Sequence, residues 1–479
     1  MGAGMGVQTN HNGSLAIAAA AALLLLGGCV GFTPDAGFDS VNTAVKERSG
    51  SAPRWIRSDR DASEVRNAVR RLLTEGPLTA DGAVQIALMN NPALQATYAE
   101  VGIAEADLVQ AGRLRNPGFS FGRTTRGEDI EIERRFIVEV IGLLTIPLRT
   151  QIERRRFELT KTRVAAETMR VAVDARRAYY SALAAQEGVK YMTQVKEAAE
   201  ASAELARRLA AAGNFSTLNR SREHLFYAET AAQLARVRLT AAGERERLIR
   251  LLGLWGEELA FKMPDRLPDL PKTAREPSQI ESNALKERLD VQTAMKEAES
   301  IASSLGLTRA TGFISVLEFS AIHNNESGRP RETGYEVELR LPIFDWGGAR
   351  LKRAEYTYMQ AVSRASDVAI RARSEVRESY GAYRTAFDLA RHYRDEIVPL
   401  RKRISDENVL RYNGMLISVF ELLADARQQV TSVNAYIEAL RDFWIAEATL
   451  QVALTGTSPG SAGMARASAT GGDAEAGGH

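Results

Sequence analysis

The chain has 479 residues, and its 62 basic and 60 acidic side chains leave a formal net charge of +2. So even a balance gives no general attraction to nucleic acid or to an anionic membrane surface. A single cysteine, Cys29, excludes an intrachain disulfide framework and every multi-cysteine metal site.

Leu15 to Leu26 is an unbroken run of Leu, Ala and Ile, too short to span a bilayer comfortably, and Leu26-Gly27-Gly28-Cys29 follows it. Small residues ahead of a cysteine suit export and cleavage at that point. The segment resembles a bacterial lipobox, which makes residues 1–28 a signal peptide and Cys29 the candidate for lipid modification. Residues 29–77 then read as a lipid-anchored, extended lead-in. No other stretch reaches about 18 uninterrupted apolar residues, so a transmembrane helix is not expected.

From residue 78 the chain says nearly the same thing twice. The first repeat covers 78–260 and the second 278–456, with a connection at 261–277 and a disordered tail at 457–479. Each repeat carries strand-like segments, at about 118–148 and about 312–343. Long helical stretches follow, at 149–255 and 346–456, each broken once by a turn. Gly213-Asn214-Phe215-Ser216 matches Asn413-Gly414-Met415-Leu416, and Pro147 matches Pro342.

In the first repeat the strands are Gly118–Arg123 and Arg135–Leu148, joined by Thr124–Arg134, although Ile141, Leu143 and Leu144 crowd the alternation. In the second repeat Gly312–Ala321 pairs with Tyr335–Ile343 through a polar connection at Asn324–Pro330. Tyr335 to Ile343 alternates strictly, with Tyr, Val, Leu, Leu and Ile on one face and Glu336, Glu338, Arg340 and Pro342 on the other. A strand between lipid and a water-filled lumen has this pattern, with Glu336, Glu338 and Arg340 towards the lumen. The helical stretches are rich in Ala, Arg, Glu and Leu, and only Pro399 interrupts the second. Val171, Ala175, Ala178, Ala182 and Ala185 recur at helical steps, as in close coiled-coil packing. A lipid-tethered periplasmic coiled-coil scaffold or adaptor fits the helices alone but not the strands. Four strands cannot close a barrel, and unpaired edges in lipid are costly. Closure therefore asks for further copies of the chain, and three copies give a twelve-stranded barrel.

The order of several motifs resembles the TolC-type outer membrane factors. Leu78-Thr79-Ala80-Asp81-Gly82-Ala83-Val84 through Asn90-Asn91-Pro92-Ala93-Leu94 is similar to that family's opening helix, and Ala104 to Gly112 followed by Asn116-Pro117 continues it. Arg288-Leu289-Asp290-Val291 and Leu341-Pro342-Ile343-Phe344-Asp345-Trp346-Gly347-Gly348 are the second-repeat counterparts. The resemblance covers about 78–456. It implies a mainly α protein with a transmembrane β-barrel portion, in which three protomers share one barrel in the bacterial outer membrane and a helical barrel extends into the periplasm. It also implies a passive exit duct for a tripartite efflux or type I secretion system, working with a periplasmic adaptor and an inner membrane pump. By the same resemblance Tyr412, Glu421 and the first-repeat position Asn219 belong to the periplasmic entrance. Gly213, Asn214, Phe215, Ser216, Gly414, Met415, Leu416 and Ser418 belong to the adaptor contact.

No phosphate loop or nucleophile motif is present, and the five histidines have no ligand spacing, so neither an enzyme nor a cofactor or metal site is expected. His224, on a presumed entrance helix, reads as a solvated or packed side chain. Arg154-Arg155-Arg156 and Arg207-Arg208 read as solvated helix faces.

Overall fold

The computed structural model describes residues 31–276, 278–311, 317–326, 328–339 and 345–458. Cys29, Arg340, the 341–344 part of the second-repeat signature and residues 459–479 lie outside these. In chain order the elements are α1 (Phe38–Ser49), α2 (Asp59–Thr74), α3 (Ala80–Asn90), α4 (Pro92–Ala111), β1 (Gly118–Arg126), β2 (Asp129–Glu139), α5 (Val140–Ala211) and α6 (Thr217–Leu252). The second repeat supplies α7 (Ile280–Glu287), α8 (Leu289–Thr311), β3 (Leu317–Glu326), β4 (Glu332–Leu339), α9 (Gly348–His392), a π-helical turn (Tyr393–Ile397), α10 (Val398–Asn413) and α11 (Val419–Thr455). The described residues fall into two compact units, one of 31–37, 100–161 and 294–365, the other of 38–99, 162–293 and 366–458.

The first unit carries a four-stranded antiparallel sheet in the order β1-β2-β3-β4. Phe119 lies opposite Phe136, which lies opposite Ala321, which lies opposite Tyr335, so these four share one face. Phe121, Val138, Phe319 and Val337 join them there by the two-residue period. This aromatic face is open, with Phe119 68%, Phe121 59% and Tyr335 76% exposed. The other face holds Glu131, Glu133, Glu139, Glu318, Glu326, Glu336 and Glu338. Arg135 answers two of them, bonding Glu133 at 2.8 Å and Glu336 at 3.3 Å.

The first hairpin is tighter than the sequence reading allowed. Instead of a connection over Thr124–Arg134, β1 and β2 pair up to Arg126 and Asp129, and Gly127, at φ +66°, turns the chain between them. Ile130 and Ile132 alternate with Glu131 and Glu133 there, a strand signal that the polar composition masks. In the second hairpin Asn324–Glu326 likewise belong to β3. The strand expected to run to Leu148 stops at Glu139, where the crowded Val-Ile-Gly-Leu-Leu run takes up the helical period and carries Pro147 inside α5.

In the second unit the helices pack through small residues. Val171, Ala175, Ala178 and Ala182 are buried, and Val173 packs against Ala448 and Val452 of α11. The segment expected to be an extended lead-in is mostly helical. Val41 and Val45 of α1 and Val65 and Val69 of α2 are buried, and Ser58 caps α2 by accepting from the Asp61 N–H. The strand-like stretch between these helices is gripped by side-chain amides. Gln85 bonds both main-chain groups of Ala52, at 2.8 and 3.2 Å, and Gln95 accepts from the Ile56 N–H while donating to the Arg54 carbonyl. These amides give the segment the backbone partners that its sparse apolar pattern does not announce.

A helix end leaves carbonyls without partners, and each repeat satisfies its outgoing helix in the same way. In the first, the Asn91 amide donates to the Leu251 carbonyl at the end of α6, and the Asn90 amide donates to Leu252 and Gly253. In the second, Arg288 donates to the Ala453 carbonyl of α11, and the Leu289 N–H donates to Gly456. Arg288 is 1% exposed and is held by Asp290 and Glu375, at 2.5 and 2.7 Å. Ser458 joins this network, donating to both carboxylates, so the chain is still anchored where the tail had been expected to begin. Arg288→Ala leaves two carboxylates uncompensated. It should lower stability by about 3–5 kcal/mol in denaturant titration, and adding Glu375→Gln should restore part of the loss.

Candidate functional site at the helical hairpin turns

Each long helical stretch reverses once, and the two reversals have the same hydrogen-bond pattern. After α5 the Gly213 N–H donates to the Ala210 carbonyl at 3.1 Å and the Asn214 N–H to the Leu209 carbonyl at 3.0 Å. After α10 the Met415 N–H donates to Tyr412 at 2.9 Å and the Leu416 N–H to Arg411 at 2.8 Å. Both are Schellman motifs, whose penultimate residue takes the left-handed conformation. Gly213 has φ +82° and Met415 has φ +58°. The structural register therefore aligns Gly213 with Met415 and Ser216 with Ser418, two residues away from the match of Gly213–Ser216 to Asn413–Leu416 and the same as the pairing of Asn219 with Glu421. Gly414 lies one residue ahead of the left-handed position, at φ −79°.

The next helix starts identically in both repeats. Ser216 accepts from the Asn219 N–H at 3.2 Å, and Ser418 accepts from the Glu421 N–H at 3.3 Å. The Glu421 carboxylate also accepts from the Ser418 N–H, closing a capping box, so it has a local structural task beside any other. Ser-x-x-Asn and Ser-x-x-Glu were the signals that would have set this register. Side-chain exposure differs between the turns: Met415 is 93% and Leu416 77% exposed, whereas Phe215 is partly covered and Leu218 beside it is 60% exposed. Glu421 is exposed, and Tyr412 and Asn219 are half-buried.

Behind the turns lie polar groups that sequence reasoning missed. Glu223 is 3% exposed and accepts from the Ser202 hydroxyl at 2.8 Å, within the α5–α6 hairpin. Arg427 of α11 reaches Glu229 of α6 at 3.4 Å and stands 5.1 Å above the Phe226 ring, tying one hairpin to the other. Asp425 is buried, with its Oδ2 atom unpartnered among the described residues. These residues sit in ordinary helical spacing and are set apart by partners or burial across helices, so no local pattern marks them. Glu204 is half-buried, and its pKa is pushed down to about 2 by hydrogen bonds from Arg207 and Arg208. His224 lines the same groove as Glu200, Glu204 and Tyr227, and among the described residues no group of three or more His, Cys, Asp or Glu is placed to hold a metal ion. On the sheet, Glu336 and Glu338 lie together on the acidic face, away from the aromatic one. No described helix is long and apolar enough to cross a membrane.

No protein-family model matches the chain. Among curated proteins it is similar to the cobalt-zinc-cadmium resistance protein CzcC of Cupriavidus metallidurans, 24% identical over 303 residues, which cover 61% of this chain and 68% of that protein. Among solved structures it is similar to the CmeC outer membrane channel of Campylobacter jejuni, with a TM-score of 0.69 and 16% identity over 80% of this chain and 86% of that one. A membrane protein from Pseudomonas aeruginosa gives a TM-score of 0.68 and 19% identity, over 81% of this chain and 93% of that one. The fold is that of the outer membrane channels.

A methionine in the left-handed region costs about 1 kcal/mol relative to glycine. Met415→Gly should therefore raise the stability of the second hairpin by about that much, measured by hydrogen exchange at the turn. Ser418→Ala should lower it by about 1 kcal/mol, while Glu421→Gln, which keeps the capping box, should leave it nearly unchanged.

Proposed function

We propose that this chain, which has the fold of TolC-type outer membrane channels, is the exit duct of a tripartite efflux system in the bacterial outer membrane. The observation that carries this reading is the sheet. It pairs an exposed aromatic face with an acidic one and ends in two unpaired edges, β1 and β4. Three copies would join these edges into a twelve-stranded barrel, aromatic side to lipid and Glu336 and Glu338 to the lumen. Long helices with exposed Leu239, Ile370 and Leu410, 77%, 69% and 66% accessible in the single chain, suit burial between protomers of a helical barrel in the periplasm.

On this reading the two hairpin turns are the periplasmic end. Met415 and Leu416, with Leu218, are the apolar surface for a periplasmic adaptor that links the duct to an inner membrane pump. Glu421, repeated three times about the axis, places a ring of carboxylates near the entrance, with Tyr412 and Asn219 beside it. Like charges brought together by symmetry bind cations or share protons. Divalent metal cations are the cargo we favour, because CzcC is by its name a cobalt-zinc-cadmium resistance protein and the sheet's acidic face suits cations. Cys29 is the site of lipid attachment.

Two measurements on reconstituted protein and on cells test this. Wild-type trimer in a planar bilayer should conduct with cation selectivity, and Glu421→Gln should lower both the selectivity and the block by multivalent cations. In cells, Leu416→Glu should abolish resistance to cobalt, zinc and cadmium with normal trimer in the membrane. Absence of conductance from intact trimer would rule out a duct. Full resistance with Leu416→Glu would move the adaptor contact elsewhere.

A further inference from the structure

The stretch between α1 and α2 is gripped more firmly than a spacer requires. Gln95 donates to the Arg54 carbonyl at 2.8 Å and accepts from the Ile56 N–H at 2.9 Å, so the main chain at Arg54 is fixed against α4. The Arg54 guanidinium then reaches α2 and pairs with Glu64, which Arg60 also bonds at 3.1 Å. Hydrogen bonds from Arg60 and then Arg54 hold the Glu64 carboxyl below the usual carboxylate range, which keeps it charged. Between Arg54 and α2 lies a cleft of about 430 Å³, lined by Arg54, Glu64, Asn67 and Arg71.

Arg60, Glu64, Asn67 and Arg71 recur at three- and four-residue steps and form one stripe of α2, about 16 Å long. Beside it Arg66 and Arg70 stand one turn apart. Val65 and Val69 are buried, so this arginine-bearing side of the helix faces outward. Arg66, Arg70 and Arg71 are exposed, and none takes part in an ion pair among the described residues. After Glu64 the helix carries no acidic residue until Glu75 at its C-cap. Arg54 and Arg60 already outnumber Glu64, so the three further arginines leave an uncompensated positive surface on a rigid support.

The walls of the cleft narrow the chemistry of its partner. Guanidinium and amide donors on two sides suit a carboxylate or a phosphate. Glu64 repels a cluster of phosphates, yet it can accept from an amide or ammonium that accompanies a single carboxylate. A lipid surface fits poorly, because among the described residues no large apolar side chain is exposed between Phe32 and Ile103 to enter acyl chains. We propose that the cleft between Arg54 and Arg71, with Arg66 and Arg70 beside it, binds the carboxylate-bearing stem peptides of peptidoglycan. This rests on the reading of the chain as a duct whose helices stand in the periplasm, where that polymer offers peptide carboxylates and amides together. Arg54 is the wall that Gln95 positions, and Asn67 with Arg71 is the wall opposite. A duct held in this way is tethered to the cell wall that it crosses.

The test sediments full-length trimer, held in phosphatidylcholine nanodiscs, with purified sacculi freed of attached protein. Wild type should co-sediment, and less of it as salt is raised, since exposed charges are screened. Arg70→Glu combined with Arg71→Glu should weaken binding at least about tenfold, through lost charge-assisted contacts and new repulsion. Sacculi stripped of stem peptides by an amidase, leaving bare glycan, should bring down no trimer. Failure of wild type to sediment, or binding that survives either change, would overturn the proposal. So would tighter binding to phosphatidylethanolamine–phosphatidylglycerol vesicles than to sacculi, which would assign the arginines to lipid headgroups. Cross-linking of Arg71→Cys between protomers, in a Cys29→Ser background, would assign this face to a second copy and overturn it too. If the charge-reversed variant does not assemble, Arg71→Lys, which keeps the charge but loses the planar fork, should lower binding about threefold, and unchanged binding would refute the cleft. Heat-resistant trimer and conductance are measured on the same preparations. A conducting trimer indifferent to sacculi removes the cleft alone, whereas an intact trimer that binds sacculi through Arg71 without conducting counts against the duct and leaves the cleft standing.

Discussion

Backbone hydrogen bonding at the two open edges of the sheet constrains the whole molecule. Every N–H and C=O in hydrocarbon needs a partner, and an isolated four-stranded sheet leaves two rows without one. Its open aromatic face makes a solution existence as a single chain costly as well, because Phe119, Phe121, Phe136, Phe319 and Tyr335 would all face water. Both demands would be met at once by closing the edges between copies and turning the aromatic face to lipid. A tethered coiled-coil scaffold has no use for such a face.

The helices obey the same accounting at their ends. Asn91 in the first repeat and Arg288 in the second occupy corresponding positions and do corresponding work, supplying donors to the last carbonyls of α6 and α11. The chemistry has diverged while the geometry has not. A neutral amide suffices in the first repeat. In the second a buried guanidinium brings in Asp290 and Glu375 and fastens Ser458 as well. The turns show the same divergence, with glycine at the left-handed position of one hairpin and methionine at the other. Met415 is held in a conformation that glycine adopts more easily, with its side chain 93% exposed.

Much of this was legible in the sequence because its signals are periodic and local. Strict alternation in Tyr335–Leu339 marked β4 and separated Glu336 and Glu338 from the aromatic face, and the small-residue steps from Val171 to Ala182 marked a buried helix face. Legibility failed where a polar sequence gets its structure from distant partners. The segment around α1 and α2 is held by Gln85 and Gln95, and no pattern within it announces those amides. The match of Gly213–Ser216 to Asn413–Leu416 missed the turn register by two residues, since the left-handed position in the second turn falls to Met415. At the hairpins, Glu223, Asp425 and Arg427 are defined by partners or burial across helices, which spacing along one helix does not report.

Cysteine cross-linking tests directly whether β1 of one chain pairs with β4 of another. Within one chain these edges are separated by two intervening strands, about 14 Å, beyond the roughly 7 Å span of a disulfide. In a Cys29→Ser background, Ser120→Cys on β1 is combined in turn with cysteine at Gly334, Glu336 or Glu338 on β4, and the membranes are oxidised. The account predicts that one pairing gives a covalently closed trimer on denaturing gels after heating, with the corresponding single cysteines remaining monomeric. Failure of every pairing to cross-link, in membranes where the protein is folded and abundant, would contradict it.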